Sequence, residues 1–158
     1  MQLDAKLEEL KEKVNKKPPV TRELQIIIVE DELPCYLLIE EALHFMNLGC
    51  LSIHAENAEK AIKILEESKR PTSLIILDLL MEGMGGVKFL SWLTSHPVLS
   101  MIPTLIITGA SEKIISEALQ YDGIYAVVHK PFTLSTVTEA VKRIDLTWPL
   151  KPKQPARR

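Results

Sequence analysis

The chain contains five short apolar runs, and four of them hold no polar residue. They span residues 26–29, 51–53, 74–77, 105–107 and 125–128, with 51–53 the weakest. Unbroken runs rich in β-branched residues are typical of strands buried on both faces, which is the pattern of a parallel sheet. The sequence therefore predicts five strands around one core.

Segments with helical periodicity separate these runs. Apolar residues recur at helical spacing within 34–47, 58–68, 87–94, 112–121 and 134–144. Asn57, Ser111 and Thr133 precede three of the segments, where short polar side chains cap helices. The alternation predicts an α/β fold, a doubly wound (βα)5 with right-handed crossovers. Its ligand site is expected beyond the carboxyl ends of the strands.

Charged and hydroxyl residues stand where four of the predicted strands end. Glu30 and Asp31 follow the first run, Asp78 the third, Thr108 ends the fourth, and Lys130 follows the fifth. Three carboxylates at one edge of a sheet would repel one another unless a divalent cation and a lysine share the site. Mg²⁺ fits, because it binds oxygen ligands and often combines carboxylates with a phosphoryl oxygen.

Each of these residues also has an ordinary structural explanation. The acids at 30–32 would be stabilised at a helix N-terminus, and Asp78 alone could be a helix cap. Thr108 could simply end a strand, and Lys130 could be a surface lysine before a turn. Their coincidence at four strand ends favours one shared site.

Five motifs carry a resemblance to a known family. In chain order they are IIIVEDE, AENAEKAIKIL, LIILDLLMEGMGG, LIITGAS and VVHKPFT. From about residue 24 to residue 144 the chain closely resembles the receiver domain of two-component response regulators. The resemblance implies a flavodoxin-like fold with a five-stranded parallel sheet of order 2-1-3-4-5. It also implies a signalling switch that accepts a phosphoryl group from a histidine kinase or a phosphotransfer protein and then changes its protein interactions.

The resemblance gives roles to six positions. Asp78 becomes the phosphoacceptor, Thr108 the switch hydroxyl and Lys130 the phosphate-binding lysine. The implied Mg²⁺ ligands are Glu30, Asp31, Asp78 and the backbone carbonyl of Leu80. These residue types suit the chemistry, since a carboxylate can form an acyl phosphate while Mg²⁺ and an ammonium group neutralise the phosphoryl oxygens.

The chain departs from the family pattern at three positions. Glu30 stands where aspartate is commoner, and Glu82 replaces the usual proline of the loop. Val127 occupies the position of an aromatic switch residue, for which Tyr125 on the same strand face is a possible substitute. Pro131 matches the family proline that often follows a cis peptide bond.

Other residues near the phosphoacceptor bear on its access and lifetime. Gly83, Gly85 and Gly86 allow φ angles that other residues disfavour, and we expect them to keep the following loop from covering Asp78. Leu80 and Ala110 hold the two positions that, in similar receivers, flank the line of water attack. Neither side chain can orient a water molecule, so we expect a long-lived phosphorylated form.

The histidines and cysteines show no zinc or disulfide pattern. They are His44, His54, His96, His129, Cys35 and Cys50. We expect structural roles for all six, with reduced thiols. His129, beside Lys130, is the one that could flank the site.

The composition argues against some classes of function but does not identify a reaction or a ligand. The 158 residues are 46% hydrophobic and 25% charged, with a formal net charge of −2, which gives no overall sign of nucleic-acid or membrane binding. No apolar run approaches the length of a membrane span, and the charged N-terminus is unlike a signal peptide. We therefore expect a cytoplasmic protein without a nucleic-acid or membrane partner.

Three segments are expected along the chain. Residues 1–23 form an amphipathic helix and a Pro-Pro linker, 24–148 the receiver domain, and 149–158 a basic, proline-rich tail. The helix has an a/d-spaced stripe of Leu3, Leu7, Leu10 and Val14, so we expect it either to dock on a partner or on a second copy, as a homodimer, or to fray. No DNA-binding output domain is expected.

Three other functions fit parts of the pattern. A flavin-binding electron carrier needs a Ser/Thr/Gly-rich phosphate loop where this chain has Glu-Asp-Glu. A haloacid-dehalogenase-type phosphohydrolase needs an acid where this chain has Leu80. A pseudo-receiver that docks without phosphorylation remains the alternative, although Thr108 and Lys130 argue against it. The sequence predicts a stand-alone phosphoacceptor rather than an enzyme, with at most slow self-dephosphorylation.

Overall fold

The structure is a computed structural model that describes residues 24–146, together with Ala5, Lys6 and Glu8. The predicted N-terminal stripe and the basic tail at 149–158 lie outside the described residues. Their roles therefore stay predictions.

Five parallel strands form one sheet. They are β1 (Leu24–Val29), β2 (Cys50–Ala55), β3 (Thr72–Leu77), β4 (Thr104–Thr108) and β5 (Ile124–His129). Their order across the sheet is β2-β1-β3-β4-β5, and each neighbouring pair is parallel. This confirms the flavodoxin-like (βα)5 fold and the strand order 2-1-3-4-5.

A helix follows each strand. The helices are α1 (Leu33–Phe45), α2 (Ala58–Glu67), α3 (Gly85–Thr94), α4 (Glu112–Leu119) and α5 (Leu134–Lys142). The side chains of Asn57, Ser111 and Thr133 each accept a hydrogen bond from a backbone N–H three residues on. The three predicted caps are thus confirmed. Helix α3 begins two residues before the predicted start, because its first residues are glycines and carry no side chain to show periodicity.

The core has two layers, one on each face of the sheet. In β1, Ile27 and Val29 pack towards α2, α3 and α4, whereas Ile26 and Ile28 pack towards α1 and α5. Burial on both faces explains why the central strands read as unbroken apolar runs. The weak second run is β2, which lies at the edge of the sheet. No described helix is long and apolar enough to cross a membrane.

Candidate functional site

Parallel strands bring the predicted site residues to one edge of the sheet. Glu30 follows β1, Asp78 follows β3, Thr108 ends β4 and Lys130 follows β5. Glu30 is 1% exposed and Asp78 is 3% exposed. Because buried carboxylates are costly without partners, their hydrogen bonds show how the edge is stabilised.

Both carboxylate oxygens of Asp78 have donors. The Thr108 hydroxyl donates to Oδ1 at 2.8 Å, and the Leu80 backbone N–H donates to the same oxygen at 3.0 Å. The ammonium group of Lys130 donates to Oδ2 at 2.9 Å. The N-cap position of the following helix is Met84, so Asp78 is not a helix cap but the centre of a polar cluster.

Lys130 links the carboxylates from different strands. Its Nζ donates to Asp78 Oδ2 and also to Glu30 Oε1, at 3.0 Å, and it lies 3.7 Å from Glu32 Oε2. Burial alone would lower the pKa of Lys130, but hydrogen bonds and charge attraction from Asp78 and Glu30 outweigh it and raise the pKa above its ordinary value. Lys130 is therefore a firmly charged cation.

Glu30 is placed to receive a further cation. Its Oε1 accepts hydrogen bonds from Lys130 and from the Glu32 backbone N–H at 3.1 Å. Its buried Oε2 has no hydrogen-bond partner among the described residues. Burial raises the pKa of Glu30 to about 7, and the charge of Asp78 adds to the shift, against the hydrogen bonds from Lys130 and Glu32.

The acidic residues form a compact set of oxygen donors. One carboxylate oxygen each from Glu30, Asp31 and Asp78 lies within 4.8 Å of the others. Asp31 is exposed, unlike the other two. An unpartnered buried oxygen beside two more carboxylates fits a hard divalent cation such as Mg²⁺ or Mn²⁺.

The hydroxyl of Thr108 connects the cluster to the loop before α4. Thr108 is fully buried, and its Oγ1 accepts a hydrogen bond from the Ala110 backbone N–H at 3.2 Å. A change in the direction of this hydroxyl would therefore affect both Asp78 and the β4–α4 loop.

The loop after Asp78 depends on glycine. Gly83 and Gly85 have positive φ angles of 83° and 72°, a region that side chains disfavour. A Cβ atom on Gly86 would lie 2.6 Å from Leu79 Cα and 2.7 Å from the Asp78 carbonyl oxygen. The loop can therefore pass this close to the phosphoacceptor candidate only without a side chain at Gly86.

The two strand positions that the resemblance relates to switching differ in exposure. Val127 is half-buried against the core layer of α2, α3 and α4, whereas Tyr125 is 45% exposed on the same strand. The peptide bond between Lys130 and Pro131 is cis. Leu80, whose carbonyl the resemblance makes a metal ligand, has an exposed side chain.

Two contacts at this edge of the sheet were not predicted from the sequence. His54, expected to be merely structural, places Nε2 2.7 Å from the Glu30 carbonyl oxygen, and its ring stacks on Tyr36. The signal was available in part, because β2 neighbours β1 and a polar residue near the end of β2 must lie beside the end of β1. The Cys35 thiol also donates to Glu32 Oε2, at 3.3 Å.

The fold and the site define a flavodoxin-like α/β protein with an acidic pocket at the carboxyl edge of its sheet. Residues 26–142 match the family model of the response regulator receiver domain. The chain belongs to this family, whose members act in phosphorylation-dependent signalling.

Solved structures of receiver domains share the fold. A receiver domain of a signal transduction histidine kinase from Syntrophus aciditrophicus is 27% identical, with a TM-score of 0.68 over 84% of this chain and 96% of that one. The phosphorylated cyanobacterial phytochrome response regulator RcpA is 24% identical, with a TM-score of 0.68 over 80% and 94%. The Mn²⁺-bound response regulator Rcp1 is 22% identical, with a TM-score of 0.66 over 84% and 99%.

Proposed function

We propose that the chain is a signalling switch that accepts a phosphoryl group on Asp78 from a histidine kinase or a phosphotransfer protein. The observation that carries the proposal is the pair of charge-stabilising donors on one buried carboxylate. Lys130 donates to Asp78 Oδ2 and Thr108 donates to Oδ1. Asp78 thus accepts hydrogen bonds from a lysine and a hydroxyl, and it lies beside two other carboxylates, Glu30 and Asp31.

The acidic set would hold a divalent cation, with Mg²⁺ as the proposed ion. The ligands would be Glu30, Asp31, Asp78 and the Leu80 backbone carbonyl. The unpartnered Glu30 Oε2 and the 4.8 Å grouping of the three acids support this set, and Rcp1 is known in a Mn²⁺-bound form. When bound, the cation would supply positive charge that offsets the carboxylates and the incoming phosphoryl oxygens.

Transfer requires one new bond and one broken bond. A carboxylate oxygen of Asp78 bonds to the phosphorus of a phosphohistidine while its P–N bond breaks, and the donor imidazole leaves with that electron pair. Lys130, which now contacts Asp78, is within reach of an oxygen of the transferred group and would neutralise its charge. The product is an acyl phosphate on Asp78 and a free histidine on the donor.

Thr108 would carry the phosphorylation signal outward. Its hydroxyl is bonded to Asp78 and to the Ala110 backbone N–H, so its turning towards a phosphoryl oxygen would change the start of α4. We propose that the response is altered protein binding on the face formed by α4, β5 and α5, where Tyr125 is exposed. Pull-down from a lysate with and without beryllofluoride, a phosphate mimic, tests this step.

The assignment of Asp78 is tested by intact-mass measurement after incubation with acetyl phosphate and Mg²⁺. We expect one phosphoryl adduct on the wild type and none on Asp78→Asn, which keeps the size of the side chain. Glu32→Gln is the matched control, because Glu32 is an exposed carboxylate at the same edge that is neither the acceptor nor a proposed metal ligand. An adduct that persists on Asp78→Asn would refute the assignment, and a wild type that never accepts phosphate while binding Mg²⁺ would favour a pseudo-receiver.

The metal assignment is tested by calorimetric titration with Mg²⁺. We expect one site in the wild type and loss of measurable binding in Asp31→Ala, because three acids share the cation. Asp31 is exposed, so its removal should leave the fold intact, which circular dichroism can check. Wild-type affinity in Asp31→Ala would show that Asp31 is an ordinary loop acid.

A further inference from the structure

The imidazole of His54 bonds to the backbone of a proposed metal ligand. His54 lies on β2 opposite Ile28 of β1, and its Nε2 is 2.7 Å from the carbonyl oxygen of Glu30. A carbonyl oxygen only accepts, so the proton of this hydrogen bond belongs to Nε2. His54 on β2 thus contacts the backbone at Glu30, where the chain leaves β1 and enters the acidic loop.

The described backbone pairing between β1 and β2 reaches Glu30 through its N–H group. The Glu30 N–H donates to the Ala55 carbonyl oxygen at 3.0 Å, and Ala55 is the last residue of β2. Beyond that point, the described contact from β2 to the Glu30 carbonyl is the ring of His54. The ring of His54 therefore contributes to the position of the backbone where the loop after β1 begins.

Tyr36 fixes the orientation of this ring. Its ring stacks on the imidazole with centroids 3.8 Å apart and planes within 9°. Tyr36 lies on α1, and its backbone N–H donates to the Glu32 carbonyl oxygen at 3.0 Å. Burial raises the pKa of the Tyr36 hydroxyl, and a hydrogen bond with Glu40 raises it further. The Tyr36 ring thus covers one face of the imidazole.

Glu30 makes such a support more important than an aspartate would. Its side chain has one more rotatable bond, so the backbone must be fixed for its carboxylate to meet Asp31 and Asp78 reproducibly. Its Oε1 is held by Lys130 and by the Glu32 N–H. His54 holds the backbone of the same residue from the opposite side.

We propose that His54, clamped by Tyr36, is a positioning residue that sets the divalent-cation affinity of the Glu30–Asp31–Asp78 site. This inference rests on the proposed function, because it presumes that the three acids hold a cation. His54 does not touch the ion. It acts by fixing the Glu30 carbonyl, in the way that outer hydrogen-bond partners fix metal ligands elsewhere.

The test is Mn²⁺ binding to the full chain, followed by electron paramagnetic resonance of the free ion. His54→Phe keeps a ring for the Tyr36 stack but has no N–H donor, so we expect about 10- to 100-fold weaker binding. His54→Gln can reach the carbonyl with its amide N–H₂ and should recover most of the affinity, whereas the shorter His54→Asn should not. Tyr36→Ala removes the stack and is expected to lie between wild type and His54→Phe, whereas Tyr36→Phe keeps the stack and should bind like wild type.

Two further readouts separate positioning from a general loss of structure. Urea unfolding in EDTA should show that the Gln and Asn variants are similarly stable although their Mn²⁺ affinities differ. Nitrogen NMR of wild-type His54 should show a protonated Nε2 coupled through the hydrogen bond to the Glu30 carbonyl carbon. If His54→Phe fails to fold, the Gln and Asn pair still decides the matter.

The outcomes distinguish this inference from the function on which it rests. Wild-type Mn²⁺ affinity in His54→Phe, equal affinities in the Gln and Asn variants, or an unprotonated Nε2 would overturn the inference alone. Absence of Mn²⁺ binding by the wild type would overturn the proposed metal site and this inference with it.

Discussion

Replacing Thr108 with valine should destabilise the cation-free domain by about 2 kcal/mol, mainly because a buried carboxylate loses a donor. Thr108 is fully buried and valine has nearly the same shape, so no cavity complicates the change. A hydrogen bond to a charged group contributes about 1.5–3 kcal/mol, and leaving the Ala110 N–H without its acceptor costs about 1 kcal/mol more. The added methyl group of valine offsets at most ~1 kcal/mol.

A double-mutant cycle isolates the contact between Thr108 and Asp78. The free energy of unfolding would be measured by urea titration in EDTA for wild type, Thr108→Val, Asp78→Ala and the double variant. Because the two side chains are 2.8 Å apart, we expect a coupling energy of at least about 1.5 kcal/mol. Independent sites add to within about 0.5 kcal/mol, so a coupling below that value would refute the hydrogen bond in solution.

Three further predictions concern the loop, the lifetime and the N-terminus. Gly86→Ala should destabilise the domain by about 1–3 kcal/mol because its Cβ would clash with backbone, whereas Gly109→Ala, with only an ordinary contact at 3.8 Å, should be neutral in urea unfolding. Leu80→Asn combined with Ala110→Glu should accelerate loss of the phosphoryl group after removal of the donor, because polar side chains can orient water; unchanged decay would contradict this. Deleting residues 1–19 should leave Mg²⁺ binding intact but reduce self-association or partner binding, which sedimentation and pull-down can measure.

The positions of the site residues could be predicted because they depend on topology more than on side-chain detail. In a parallel sheet the carboxyl ends of all strands meet at one edge. The positions of the strand ends are therefore enough to predict that Asp78, Thr108 and Lys130 lie together. The strand order came from the family resemblance, since apolar runs alone do not say which strands are neighbours.

Element boundaries were less predictable where side chains carry no periodic signal. The start of α3 at Gly85 and the start of β3 at Thr72 both precede the first apolar residue of their segments. The close approach of Gly86 to Leu79 and Asp78 is likewise a property of the folded backbone. Only the glycine composition of the loop indicated that a special conformation was present.

Contacts between side chains at the site depend on register, which the sequence does not state. His54 meets the Glu30 carbonyl because β1 and β2 pair with Ile28 opposite His54. A shift of one residue would turn the imidazole to the other face of the sheet. The same register places His54 on the face that α1 covers, where Tyr36 can stack on it.

Residues from the β5 side and from the β2 edge of the sheet both contact Glu30. Lys130 from the β5 side donates to Asp78 and Glu30, and His54 from the β2 edge holds the Glu30 backbone. Thr108 connects Asp78 to the loop before α4 through the Ala110 N–H. Lys130 and Thr108 already donate hydrogen bonds to the Asp78 carboxylate. A phosphoryl group on Asp78 would therefore compete with that carboxylate for the same two donors. The chemical event would therefore reach β4 and β5 directly, while the β2 edge would hold the acidic loop in place.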